Sequence, residues 1–353
     1  MDQRPLVIDA DGHILERQED VRKYLKAPWK QRGTSLWPSG QPWDPELFGR
    51  LKFKYSHDLS PAEQVKIWLD VMDEHGMETA VCFATGGQNI ERLQEPAFSV
   101  AVARAFNDHV ANEYNNRTNR IKAVGLLPLG NPGEARLEMR RAVKELGLIC
   151  FQLLSQGNLF PLGDPFYNPI YEEAASLGCA LALHPGRGVP DEVGAGRVRT
   201  FSEIHTYVMP ASMLLHFTSI IYNGVPVRFP GLRLAFLEMG CTWIPYWLDR
   251  MDEHWEKRGE IEMPLLQKKP SQTIKDLPIY FTVESGETLL PEAIAYIGDD
   301  HFMYSSDFPH WDGEFPENLD SLWNHKSLSL ETKRKILREN AMKFFQLGIE
   351  RRQ

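Results

Sequence analysis

The stretch Val7-Ile8-Asp9-Ala10-Asp11-Gly12-His13 sets an acid and a histidine two residues apart at the end of a short apolar run. In extended backbone, side chains two apart point the same way, so Asp11 and His13 converge where the strand ends. Later apolar runs finish alike: Ala180-Leu181-Ala182-Leu183-His184, Leu234-Ala235-Phe236-Leu237-Glu238 and Met303-Tyr304-Ser305-Ser306-Asp307. Working outward, runs of strand length recur at Leu6 to Ile8, Thr79 to Phe83, Ile121 to Leu126, Leu148 to Leu153, Ala180 to Leu183, Leu232 to Leu237, Ile279 to Val283 and Phe302 to Ser305. Helical periodicity fills most of the gaps, as at Pro61 to His75, Asn131 to Leu146, Asn168 to Leu177, Met209 to Tyr222 and Trp243 to Arg258. Strand-helix alternation means a parallel sheet, and eight such units favour a closed (β/α)₈ TIM barrel over an open doubly wound sheet. The first strand also lacks the Gly-x-Gly-x-x-Gly turn of a dinucleotide fold.

The chain of 353 residues is 42% hydrophobic and 25% charged, which suits a folded globular protein and excludes a disordered or coiled-coil class. A net charge of −9, with no basic run, gives no footprint for nucleic acid or an anionic membrane, so a small molecule is the expected partner. The polar N-terminus lacks a leader-like apolar core and no stretch approaches the ~20 apolar residues of a membrane span, so a cytoplasmic location is expected. Cys82, Cys150, Cys179 and Cys241 are isolated and read as buried thiols.

One barrel across residues 1–353 is the expected organisation, with residues 17–60 inserted after the first strand as a lid or interface loop. That loop carries Trp29, Trp37 and Trp43, and a second long connection covers residues 186–206. Both leave the C-terminal ends of strands, the catalytic face of such a barrel, and would close over an organic anion. Packing of the tryptophans on the barrel rim or on a partner subunit is the alternative.

Several motifs carry a resemblance: Asp9-Ala10-Asp11-Gly12-His13, Asp164-Pro165-Phe166-Tyr167-Asn168-Pro169-Ile170-Tyr171 leading to His184-Pro185-Gly186, Arg228-Phe229-Pro230-Gly231-Leu232-Arg233 leading to Glu238-Met239-Gly240, Trp247-Leu248-Asp249-Arg250-Met251-Asp252, and Ser306-Asp307-Phe308-Pro309-His310. Together they resemble the amidohydrolase superfamily, in the amidohydrolase 2 branch that holds metal-dependent decarboxylases related to aminocarboxymuconate semialdehyde decarboxylase. The resemblance implies a barrel, a homodimer, and Asp11, His13, His184 and Asp307 as metal ligands. Carboxylate and imidazole donors suit Zn, Fe or Mn, one or two per chain, with zinc as the default. A lone His or Asp at a strand end is more often a cap; it is the four together that point to metal.

Two departures bear on chemistry. Asp11-Gly12-His13 stands where much of the superfamily has His-x-His, and Glu238 stands where the decarboxylases usually carry a sixth-strand histidine. A carboxylate replaces a cationic proton donor only with a strongly raised pKa, yet it can bind or bridge metals. Glu16, three residues beyond His13, and Glu238 join the candidate metal ligands, although Leu148 to Leu154 lacks the lysine that bridges binuclear relatives. His205 is a candidate catalytic group beside Asp307 and Glu238, while Arg187, Arg199 and His310 are candidates for holding a substrate carboxylate. His216 reads as a helix residue.

The leading expectation is a metal-dependent hydrolase whose activated water cleaves an ester, thioester, amide or C–C bond of a small organic acid. The alternative is a nonoxidative decarboxylase of an aromatic or enoic acid. A third is a non-catalytic barrel that binds metal or ligand.

Overall fold

The structure is a computed structural model that describes residues 4–38, 58–186, 192–284, 286–311 and 313–348. Among the described residues, nine parallel strands run in chain order: β1 (Val7–Ile14), β2 (Met77–Ala84), β3 (Ile121–Ala123), β4 (Gly125–Leu126), β5 (Cys150–Leu154), β6 (Ala180–His184), β7 (Leu234–Phe236), β8 (Ile279–Val283) and β9 (Phe302–Tyr304). Only Val124 separates β3 from β4, and its N–H donates to the Cys82 carbonyl at 2.9 Å, so the two form one stave and eight staves result. Just past β9, Asp307 N donates to Asp11 O at 3.0 Å and His13 N to Phe308 O at 2.8 Å. The last stave thus bonds to the first at the level of the ligand motifs.

Helices fill the connections much as the periodicity indicates. Pro61–His75 starts on a Ser60–Glu63 capping box and ends at Gly76, whose φ of 68° suits a left-handed cap. Asn168–Leu177 and Met209–Tyr222 keep their expected bounds, and Pro132–Leu146 is capped by Asn131. Their apolar faces build the outer core against the strands.

Inside the ring, Ile8, Ala10, Val81, Phe83, Val124, Cys150, Ala180, Ala182, Ala235, Tyr280 and Met303 form a separate inner cluster. Small residues on several staves leave room for the aromatic ones, so the barrel is filled rather than hollow. Phe344 and Phe345 of the last helix join this cluster from below, and Arg233, which precedes β7, donates to the Phe344 carbonyl at 2.5 Å. With the lower end plugged, polar chemistry is confined to the C-terminal ends of the strands.

Of the expected lid, residues 39–57 and 187–191, with Trp43 and Arg187, lie outside the described residues. Trp29 packs on Phe98, and Trp37 is buried against Phe106, so these two tryptophans pack on the helix Pro96–Val110. All four cysteines are buried free thiols. Among the described residues, no helix is long and apolar enough to cross a membrane.

Candidate metal centre

β1 runs on through the motif and carries an irregularity there: Asp9 pairs with Ala80 but Gly12 with Cys82, three residues against two. Such a bulge re-aims side chains beside sites. Gly12 is required at this point, because a Cβ there would lie 2.5 Å from the Trp68 ring and 2.9 Å from Asp9 Oδ2. Asp11 and His13 are wholly buried, and β6 ends on His184, equally buried.

These three offer ligand atoms that lie within 4.8 Å of one another, and so do His13, Asp307 and His310. His13 Nε2 lies 3.2 Å from Asp307 Oδ1 and 3.8 Å from Asp11 Oδ1, while His184 Nε2 lies 2.8 Å from Glu238 Oε2 and 3.9 Å from Asp11 Oδ1. Glu238 and Asp307 have φ of 49° and 50°, left-handed values uncommon outside glycine. Strain of this kind persists only where surrounding bonds hold it, here Thr282 Oγ1 on Glu238 N at 3.1 Å and Asp11 O on Asp307 N.

The electrostatics test whether a cation fits. Both carboxylate oxygens of Asp11, both ring nitrogens of His13 and Nε2 of His184 are buried without a hydrogen-bond partner. Buried polar atoms are ordinarily satisfied, so a convergent set of orphans is the signature of donors awaiting an ion. Burial pushes Asp11 well above the carboxylate range; His184 opposes that, while Glu238 and Asp307 add to it. Burial also lowers His13 to about 4, keeping the imidazole neutral and fit for ligation. His184 Nδ1 donates to the Pro185 carbonyl at 2.8 Å, which turns Nε2 toward the carboxylates. Burial opposes its charging, yet Glu238 and Asp11 raise it, and the paired Glu238 is drawn down by His184 against the same burial. Three carboxylates gathered on three imidazoles need a positive charge at their centre. The residues present therefore fit a divalent metal ion.

Sequence reasoning passed over the groups that hold this set in place. Asp9 accepts from Ser306 N at 3.0 Å, from Ser306 Oγ and from Asp11 N at 3.2 Å, and its carboxyl is pushed by burial up to about 6 despite those bonds. Ser306 Oγ in turn accepts from Phe308 N at 3.0 Å. Thr85 Oγ1 lies 3.0 Å from His310 Nε2, and His310 Nδ1 lies 2.8 Å from Asp307 Oδ1, with the His310 ring stacked 3.7 Å from His13. The Asp9 signal was visible as the same-face residue preceding Asp11; the Ser306 and Thr85 partners are distant in sequence.

Other candidates fall elsewhere. Glu16 is not part of either convergent group: its carboxylate accepts from Thr85 N at 3.1 Å and from Gly87 N, tying the β1 and β2 ends together. His216 accepts from Leu162 N at 3.0 Å and donates to Ser155 O at 2.7 Å, a loop-holding role. Arg199 is exposed and does not line the cavity beside the cluster. That cavity, about 390 Å³, is lined by His205, Glu238 and Asp307 among others. His205 stacks on Phe201 at 5.4 Å and meets Trp311 at 5.9 Å, making an aromatic side to the mouth.

Among curated proteins, the chain is 28% identical over 257 residues to 2-amino-3-carboxymuconate-6-semialdehyde decarboxylase of Dictyostelium discoideum, covering 72% of this chain and 69% of that one. It is 26% identical over 290 residues to gamma-resorcylate decarboxylase of Rhizobium sp. (strain MTP-10005), covering 79% and 86%. Among solved structures, an amidohydrolase from Mycobacterium avium subsp. paratuberculosis K-10 superposes with a TM-score of 0.80 at 20% identity, covering 98% of this chain and 100% of that one. The 5-carboxyvanillate decarboxylase of Novosphingobium aromaticivorans, complexed with manganese and 4-hydroxy-3-methoxy-5-nitrobenzoic acid, gives 0.75 at 20% identity, covering 98% and 97%. The two superpositions establish the barrel architecture.

The expectation of a hydrolase is overturned by these relatives, which are named as decarboxylases. It rested on Glu238 in the place of a histidine. The structure shows why that residue type is a poor guide: Glu238 faces His184 as an ion-paired neighbour, so a change at this strand end alters the balance of the cluster without specifying the bond to be broken. The amidohydrolase family model matches residues 8–347, nearly the whole length, and the chain belongs to the amidohydrolase family.

Proposed function

We propose that this protein is a metal-dependent nonoxidative decarboxylase of a small aromatic or enoic acid. The observation that carries the reading is the convergence of buried Asp11, His13 and His184, with both Asp11 oxygens and both His13 ring nitrogens lacking hydrogen-bond partners, beside a cavity sized for one small organic acid. The decarboxylases among its relatives support the reaction class. Asp11, His13, His184 and Asp307 would hold the divalent ion, with manganese, present in the neighbouring structure, the first ion to test. When bound, the ion supplies positive charge that orients an anionic substrate and neutralises the carboxylates around it.

The chain's own residues do the rest. Asp307 lines the cavity and is the group we assign to relay a proton from solvent to the carbon that loses its carboxyl, as the C–C bond breaks and carbon dioxide leaves. His310, 2.8 Å from Asp307 Oδ1 and braced by Thr85, restricts the direction of that carboxyl. Asp9 and Ser306 fix the backbone turn that presents it. The aromatic side made by Phe201, His205 and Trp311 suits a planar substrate.

The test is incubation of manganese-loaded protein with a panel of hydroxybenzoic and enoic acids, measuring carbon dioxide. Release from at least one acid, abolished by Asp307→Asn with the fold intact by circular dichroism, is expected. No release across the panel, or undiminished release by the Asp307→Asn variant, would contradict the assignment.

A further inference from the structure

The far wall of the cavity carries a charge pattern that the reaction itself does not require. Its lining includes His205, Glu238, Asp307, Glu284, Glu287 and Glu314, and no lysine or arginine is among the described residues that line it. Glu238 and Asp307 belong to the metal cluster, but the other three carboxylates stand on the β8 and β9 loops. Glu287 is fixed in place: Oε1 accepts from Cys241 N at 2.6 Å and Thr242 N at 2.9 Å, and Oε2 accepts from Glu284 N at 3.0 Å and from the Cys241 thiol at 3.2 Å. Gly240 lets that carboxylate come close, since a Cβ there would lie 2.4 Å from Glu287 Oε1. Glu284 and Glu314 are exposed, and Glu314 Oε2 lies 3.9 Å from where a Cβ on Gly286 would be, so its side chain reaches toward the β8 loop. Negative groups thus sit at both the inner and outer ends of one small cavity.

We infer that this cavity selects monocarboxylic acids whose end remote from the reacting carboxyl is uncharged or cationic and donates hydrogen bonds, and that it rejects a second anionic group there. The inference rests on the decarboxylase reading for which end of the substrate faces the metal. A carboxylate cannot donate hydrogen bonds, so a hydroxyl or amino group at the far end finds acceptors in this wall, whereas a second carboxylate or a phosphate is set against the like charge of Glu284, Glu287 and Glu314. Clefts lined by one sign of charge concentrate that field, so exposed groups act more strongly here than on an open surface.

The experiment is calorimetric binding of two matched probes to the manganese-loaded protein: 2,4-dihydroxybenzoate, with a hydroxyl opposite the reacting carboxyl, and 2-hydroxyterephthalate, with a carboxylate there. The dianion should bind about tenfold or more weakly, and the gap should narrow in the Glu284→Gln/Glu314→Gln double variant and at high salt. Narrowing with salt separates charge from size, since steric exclusion is insensitive to salt. Equal or tighter binding of the dianion, a gap untouched by both the variant and salt, or no binding of either probe would overturn the inference. Binding with the expected preference but without carbon dioxide release from any acid would leave the selectivity standing and remove the decarboxylase reading instead.

Discussion

Asp11 and Glu287 are both carboxylates at the mouth of the barrel, and they differ in what satisfies them. Glu287 accepts from three backbone N–H groups and a thiol, and it pins the β7 and β8 loops together. Glu16 does the same between the β1 and β2 ends. Asp11 is more deeply buried than either, yet both its oxygens lack a hydrogen bond, and its neighbours are further carboxylates and imidazoles. A carboxylate met by backbone donors is part of the scaffold. One buried without them, among other potential ligands, is placed for an ion.

Breaking the comparison at Asp11 should give the largest effect. Asp11→Ala removes a central member of the proposed ligand set, and turnover should fall at least about 10²-fold while the fold is kept, as read by carbon dioxide release and circular dichroism. The mirror-image change, Glu287→Ala, should cost stability first: it strands several backbone donors, and urea unfolding should register a loss of roughly 2–3 kcal/mol, with bound metal unchanged. Between them stands Gly12→Ala, which forces a methyl group into the Trp68 ring and the Asp9 carboxylate. Overpacking there should cost about 1–3 kcal/mol and weaken metal binding by displacing Asp11 and His13, the proposed ligands on either side.

Glu91 gives the smallest effect and sharpens the same contrast through pH. It lies outside the metal cluster, accepts from Leu129 N at 3.2 Å, and burial lifts its carboxyl to about 8. A raised folded-state pKa means the native protein keeps a proton that the unfolded chain gives up from its ordinary value of 4.5 upward. Stability supplied by that proton is therefore present at low pH and lost as pH rises toward 8. Glu91→Gln should flatten the decline between those limits, as read in urea titrations at successive pH values.

How much of this was legible in the chain follows from how local each signal is. The strand ends carrying His184 and Asp307 could be read directly, because a short apolar run bounded by a polar residue defines both the strand and the side chain at its tip. The helix Pro61–His75 was legible for a similar reason, with its cap and its stop inside the same segment. Glu16 misled: three residues from His13 looks close, but the strand ends at Ile14 and the carboxylate turns to the β2 loop. Ser306 was invisible as a partner of Asp9 because 297 residues separate them, and only the meeting of the first and last staves brings them together. Glu238 could be read as an acid in a histidine's place, but its pairing with His184 could not; it is the decarboxylases among the relatives that overturn the hydrolase expectation.

The most direct test of the central claim is metal analysis of protein purified without chelators, wild type beside Asp11→Ala, with both shown to be folded. Stoichiometric divalent metal in the wild type and little or none in Asp11→Ala is the predicted result. Equal metal in the two proteins, or none in a wild type offered manganese, would mean that the orphaned donors around Asp11 are not a metal site.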